Sequence, residues 1–123
     1  MTTDVCVPIS RLADCVEETQ ADIAATGIVA PIVGHVGDGN FHVGMLVDMA
    51  SREEIDRAEA FVDRLVTRAL AMEGTCTGEH GIGQKKMKYL EQEHGAPTLA
   101  MMRAIKRALD PLGIMNPGKV LRM

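Results

Sequence analysis

The chain has 123 residues and a mass of 13.3 kDa, with 46% hydrophobic and 24% charged residues, which fits one globular domain around one core and leaves little room to enclose a dinucleotide. Thirteen basic against seventeen acidic residues give a net charge of -4 and a pI near 5.5, a field that excludes nucleic acid as the main partner. Two phenylalanines and one tyrosine stand against nine methionines, so thioethers and aliphatics must fill the core, and aromatic platforms for bases or sugars are excluded.

The chain opens on an extended run, Val5-Cys6-Val7, that Pro8 and Ser10 end. Ser10 is the expected cap of a helix over residues 11 to 26, with Leu12, Val16 and Ile23 at helical spacing and Gly27 as its stop. Two β-branched runs, 28 to 36 and 40 to 48, flank Gly37-Asp38-Gly39, and an Asp-Gly step between such runs predicts a hairpin. Ser51-Arg52-Glu53-Glu54 reads as a capping box in which Ser51 and Glu54 satisfy each other's backbone donors. The helix it starts should run to about Met72, with Ile55, Ala58, Val62, Leu65, Ala69 and Met72 inward and Glu53, Asp56, Arg57, Asp63 and Arg64 left to solvent. Residues 74 to 83 hold four glycines and form a loop that must bend or approach something closely. A last helix starts at Pro97, shows Leu99, Met102, Ile105 and Leu109, and stops at Asp110-Pro111, before a turn-like tail at Asn116-Pro117-Gly118. The order strand, helix, strand, strand, helix predicts an α+β fold: a ferredoxin-like antiparallel sheet with helices on one face, followed by C-terminal helices.

No apolar run reaches the roughly 20 residues of a membrane span, and the first ten residues have neither the basic start nor the apolar stretch of a signal peptide. A cytoplasmic protein is the expectation. Cys6, Cys15 and Cys76 are odd in number and lack C-x-x-C spacing, which argues for reduced thiols over a disulfide framework or a thiolate zinc knuckle.

The hairpin yields a geometric expectation about two histidines. If Asp38 and Gly39 are the central turn residues, cross-strand partners sum to 77 and His35 faces His42, with Cβ atoms about 5 Å apart, close enough to share one metal ion. They could equally be polar residues on a solvent face. Glu79 and His80 add a carboxylate and a third imidazole on the glycine-rich loop, and two histidines with one glutamate form a common set for a divalent ion with open positions. His80 could instead be a proton acceptor, since imidazole titrates near neutral pH, and a plain solvated turn is the other reading of this pair. His94 repeats the Glu-His-Gly string at the apparent end of a short helix, where Gly95 caps and the histidine meets terminal carbonyls. Other motifs fail on spacing. Gly37-Asp38-Gly39 reaches His42 where a dinucleotide fingerprint needs a third glycine, and Gly74 to Gly78 lacks the lysine of a phosphate-binding loop. No serine sits in a nucleophile elbow, and nothing beyond its nearness to His80 supports Cys76 as a nucleophile.

Three segments carry a resemblance: Gly34-His35-Val36-Gly37-Asp38-Gly39-Asn40-Phe41-His42, then Gly78-Glu79-His80-Gly81-Ile82-Gly83, then Asp110-Pro111 with Asn116-Pro117-Gly118-Lys119. In this order they resemble the end of the FAD-linked oxidase C-terminal domain, the substrate domain of flavin D-lactate dehydrogenases, the glycolate oxidase FAD subunit and D-2-hydroxyglutarate dehydrogenase. The resemblance implies that His35, His42 and Glu79 match the family's ligands for a divalent metal (zinc, manganese or iron). It implies that His80 matches the substrate-binding, base histidine, and that Asn116 lies in the segment returning to the flavin.

The implied reaction is oxidation of a small D-2-hydroxy acid, with FAD expected of the full-length enzyme and not bound by this chain alone. The sequence departs from the family in lacking the FAD-binding domain and the first part of the substrate domain. Gly44 stands where some relatives carry a substrate-contacting asparagine, which leans toward lactate or glycolate over a dicarboxylate. The chain therefore reads over 1–123 as part of the substrate domain, inactive alone, in the cytoplasm or peripheral to the inner membrane. Its partners would be the hydroxy acid and the missing FAD-binding domain or subunit. Apolar surface left where the missing half packed predicts self-association. The alternative is a freestanding metal-binding or interaction module without redox activity.

Overall fold

The computed structural model describes residues 1–123 as two units, Met1–Glu79 and His80–Met123. The first carries β1 (Val5–Cys6), α1 (Ile9–Thr26), β2 (Ile32–His35), β3 (Asn40–Val43) and α2 (Arg52–Ala71); the second carries α3 (Leu90–His94) and α4 (Ala96–Leu109). The fold is α+β, with an antiparallel sheet in the order β1-β3-β2, consistent with part of a larger domain.

The central strand β3 is buried at all four residues, so each of its faces has a cover. Period two sends Phe41 and Val43 one way, on the side of Val5. With Phe61, Leu65, Val66 and Ala69 of α2 and Leu12 and Cys15 of α1 they form the buried core. Asn40 and His42 point the other way, and both are buried although polar. The β1–β3 ladder continues past its named ends: Thr2 bridges Gly44, and Thr3 N donates to the Val43 carbonyl at 3.1 Å. This register places Asp4 opposite His42. On its other side β1 meets the glycine-rich loop, where Thr75 N donates to the Cys6 carbonyl at 2.8 Å and Cys6 N to the Thr75 carbonyl at 3.3 Å.

The hairpin differs from expectation in register. Observed partners are Ile32 with Val43, Val33 with His42, Gly34 with Phe41 and His35 with Asn40, so residues 36 to 39 form the connection, as a short 3-10 turn closed by Gly39 at φ 73°. A two-residue type I′ turn does not form because Gly39 is held by β1's exit: Val7 N donates to its carbonyl at 3.0 Å. A Cβ at Gly39 would lie 2.0 Å from the Val7 carbonyl oxygen, so the position has room only for glycine. The strands are also shorter than the apolar runs that predicted them. Residues 29 and 31 still hold the return chain, through Leu46 N to Val29 and Gly44 N to Pro31.

The helices follow the sequence with local corrections. α1 starts at Ile9, and Pro8, not Ser10, precedes it; Arg11 N donates to the Pro8 carbonyl, so Ser10 lies within the first turn. Gly27 ends α1 in the left-handed region, as its position predicts. Ser51 caps α2 by accepting from Glu54 N, but the Glu54 carboxylate turns outward to Asp48 N at 2.8 Å, so the box closes on one side only. The expected solvated face of α2 is partly an ionic seam. Arg64 donates through Nε and Nη2 to Asp22 of α1, and Arg68 reaches Glu18, Thr19 and Asp22.

In the second unit, α3 ends at His94 with Gly95 N donating to the Glu91 carbonyl, the capping role expected of this Glu-His-Gly. In α4 Leu99 is buried, while Ile105 and Leu109 of the expected stripe are exposed. Asp110 then closes the helix, its carboxylate accepting from Lys106 and from the backbone of Ile114 and Met115 at 3.0 Å.

Candidate metal centre

Three predicted residues meet on the polar face of the sheet. Because the observed register differs from the expected one by two, side chains keep their faces, and His35 and His42 become diagonal neighbours in place of direct ones. Their rings lie edge to face at 88°, with centroids 5.9 Å apart. Glu79 completes the group: its Oε1 is 3.1 Å from His42 Nε2 and 3.7 Å from His35 Nε2. One ligand atom from each of the three lies within 4.8 Å of the others. Tetrahedral metal bonds of about 2.0–2.2 Å separate ligand atoms by roughly 3.3–3.6 Å, so small side-chain rotations would bring all three onto one ion.

The donor chemistry fits as well as the distances. His42 Nδ1 lies 3.1 Å from the Thr3 carbonyl, which can only accept, so Nδ1 carries a proton. Nε2 faces Glu79 Oε1 at 3.1 Å, a distance that suits either a direct ion pair or a shared cation, and a backbone carbonyl on the far nitrogen is the usual support of a metal-bound histidine. His42 is buried and fixed, whereas His35 and Glu79 are exposed, so the group opens toward solvent on one side.

Asp4, which the sequence reading passed over, anchors this arrangement. It is 1% exposed and accepts from Asn40 Nδ2 (2.9 Å), Thr77 Oγ1 (2.7 Å), Gly78 N (2.9 Å) and Glu79 N (3.2 Å). Its Oδ1 is also 3.8 Å from His42 Nδ1. Alternation in Asp4-Val5-Cys6-Val7 was a signal for the side it faces; the loop that covers it starts some seventy residues later. His80, the next residue after Glu79, is exposed in the second unit, and Asn116 is exposed in the tail at φ 46°. The three cysteines are free thiols, Cys15 and Cys76 buried. Burial, then the nearby Asp38 and Asp4 charges, push the Cys6 thiol up, which disfavours it as a nucleophile.

An antiparallel α+β unit with an imidazole and carboxylate cluster on its polar face is consistent with part of a larger domain. The model of the family described as FAD linked oxidases, C-terminal domain, matches residues 1–120, and the chain belongs to that family. It is 52% identical over 122 residues to a probable mitochondrial D-lactate dehydrogenase of Danio rerio, covering 99% of this chain and 24% of that protein. A mitochondrial D-lactate dehydrogenase [cytochrome] of Arabidopsis thaliana is 47% identical over 98% of the chain and 21% of its own length. The glycolate oxidase subunit GlcD of Bacillus subtilis is 37% identical over 95% of the chain and 25% of its own length. The chain thus spans about a quarter or less of these curated relatives. No helix is long and apolar enough to cross a membrane.

Proposed function

We propose that this chain is the C-terminal part, over 1–123, of the substrate domain of an FAD-dependent D-2-hydroxyacid dehydrogenase of lactate or glycolate type, and that His35, His42 and Glu79 hold a divalent metal that binds substrate. The observation that carries the reading is the convergence of those three groups, with His42 Nδ1 held by the Thr3 carbonyl. The names of the relatives, D-lactate dehydrogenases and a glycolate oxidase subunit, support the substrate class.

In this reading a divalent ion supplies Lewis-acid polarisation of the hydroxyl and carboxylate of the hydroxy acid. FAD, carried by the FAD-binding domain or subunit, supplies the hydride acceptor for C2. The chain's own residues do the rest. His42 is the rigid ligand, buried and tied to β1, while His35 and Glu79 adjust from the exposed side. His80 takes the hydroxyl proton at an imidazole nitrogen. Asn116, in a turn at positive φ, belongs to the tail segment that faces the flavin. The exposed Ile105, Leu109, Leu112 and Ile114 of the second unit support self-association of the isolated chain or cover by the rest of the enzyme. A cytoplasmic location remains the proposal, and the mitochondrial names of two relatives make organelle fractionation its test.

The deciding experiment is metal analysis of the purified chain after loading with zinc or manganese and desalting. Wild type should retain about one ion per chain, and His35→Ala and Glu79→Ala less than about a tenth of that. Equal retention in all three would overturn the site.

A further inference from the structure

The geometry points to Asp4 as the residue that positions Glu79: its buried carboxylate gathers the Thr77 hydroxyl and the Gly78 and Glu79 amides, and so fixes the backbone from which the Glu79 carboxylate reaches His35 and His42. This rests on the metal reading above for its consequence, but the positioning itself stands on contacts in the first unit.

Three features show that the neighbourhood is built around Asp4. Its two oxygens divide the work: Oδ1 accepts from Asn40 Nδ2 and Glu79 N, and Oδ2 from Thr77 Oγ1 and Gly78 N. Two consecutive backbone amides aimed at one carboxylate leave the Gly78-Glu79 peptide little freedom to rotate. Next, Asn40 gives its amide group to Asp4 and to the Val5 carbonyl at 2.8 Å, and its own Oδ1 is buried with no hydrogen-bond partner. Turning the amide over would set oxygen against two acceptors, so the orphaned oxygen is the consequence of serving Asp4. Finally, Gly78 has no room for a side chain, since a Cβ there would lie 1.9 Å from Asn40 Nδ2 and 2.9 Å from Asp4 Oδ1. The loop backbone lies directly on the Asp4–Asn40 pair.

Asp4 Oδ1 also lies 3.8 Å from His42 Nδ1, whose hydrogen bond goes to the Thr3 carbonyl. Asp4 thus acts on Glu79 without belonging to the set. It is a positioning residue, and its loss should weaken metal binding far more than it loosens the helices.

The test uses the full chain in four forms: wild type, Asp4→Asn, Thr77→Val and Glu79→Gln. Amide hydrogen exchange is followed at Gly78 and Glu79, with Leu65 and Ala69 of α2 as the control, and binding of Zn²⁺ alone is titrated. Asp4→Asn places an NH₂ against donors, so exchange at Gly78 and Glu79 should quicken at least about tenfold with the α2 amides unchanged. Zn²⁺ affinity should fall about 10- to 100-fold, the usual range for a group supporting a metal ligand. Thr77→Val removes one bond without a charge change and should give a smaller shift of the same pattern, which keeps the test decisive if Asp4→Asn does not fold. Unchanged exchange at Gly78 and Glu79, or acceleration equal to that at Leu65 and Ala69, would overturn the positioning role. If wild type and Glu79→Gln bind Zn²⁺ alike, it is the metal reading that fails, and the exchange data alone then decide the role of Asp4.

Discussion

The two units differ in how many of their large apolar residues they bury. In Met1–Glu79 the large side chains close on one another: Val5, Phe41, Val43, Phe61, Leu65 and Val66 are buried between sheet and helices. In His80–Met123 only Tyr89, Leu90 and Leu99 are buried apolar residues, while Leu109 is 75% and Leu112 79% exposed. What holds the second unit is more local and polar, with Asp110 binding Lys106 and the backbone four and five residues on. The candidate ligands His35, His42 and Glu79 all belong to the first unit. Of the three, only His42 is buried and held by packing; His35 and Glu79 are exposed, with the exposed Val33 and Val36 close to His35 in sequence.

Three variants would break or sharpen this contrast. The largest effect is expected of Phe61→Ala, at a fully buried position of α2, which should cost about 3–5 kcal/mol in urea unfolding. A loss under about 1 kcal/mol would mean that the first unit lacks a tight core. Next, Asp22→Asn should cost about 1 kcal/mol at pH 7, a discounted figure because Arg64 is half exposed. Hydrogen bonds from Arg64, then from Arg68, hold the Asp22 carboxyl below its ordinary value against the opposing effect of burial. The seam's contribution is therefore complete above the unfolded value near 4 and is lost as pH falls through the lower folded value. Wild-type and Asp22→Asn stability curves should converge below about pH 4, and a constant gap down to the acid transition would count against the pair. The smallest stability change, within about 0.5 kcal/mol, is expected of the double variant Leu109→Ser, Leu112→Ser. It should instead lower the sedimentation-derived mass of the isolated chain at equal concentration. A stability loss matching that of Phe61→Ala would erase the difference between the units.

The fold was legible where a local rule acts alone. Gly27 stops α1 and Ser51 starts α2 because an αL residue and a capping hydroxyl satisfy backbone groups within one turn. Ser10 misled because Pro8 already presets the first turn two residues earlier. The Arg64 guanidinium read as solvated because helix periodicity reports only distance from the apolar stripe. Its partner Asp22 lies on another helix, 42 residues away.

By itself the sequence determined the α+β order of elements and the C-terminal ends of the long helices, and it singled out His35, His42 and Glu79 as candidates, since period two and a glycine-rich loop are local properties. It also determined, without a correct register, that the two histidines share a face, because a shift of two residues preserves every side chain's side of the sheet. The tertiary structure alone decided the pairing of His35 with Asn40, which the exit of β1 imposes through Gly39. It alone decided the burial of Asp4 under residues 77 to 79, and with it the anchoring of the Gly78 and Glu79 amides. Those depend on backbone donors some seventy residues downstream, and no local pattern encodes where a loop will set its amides down.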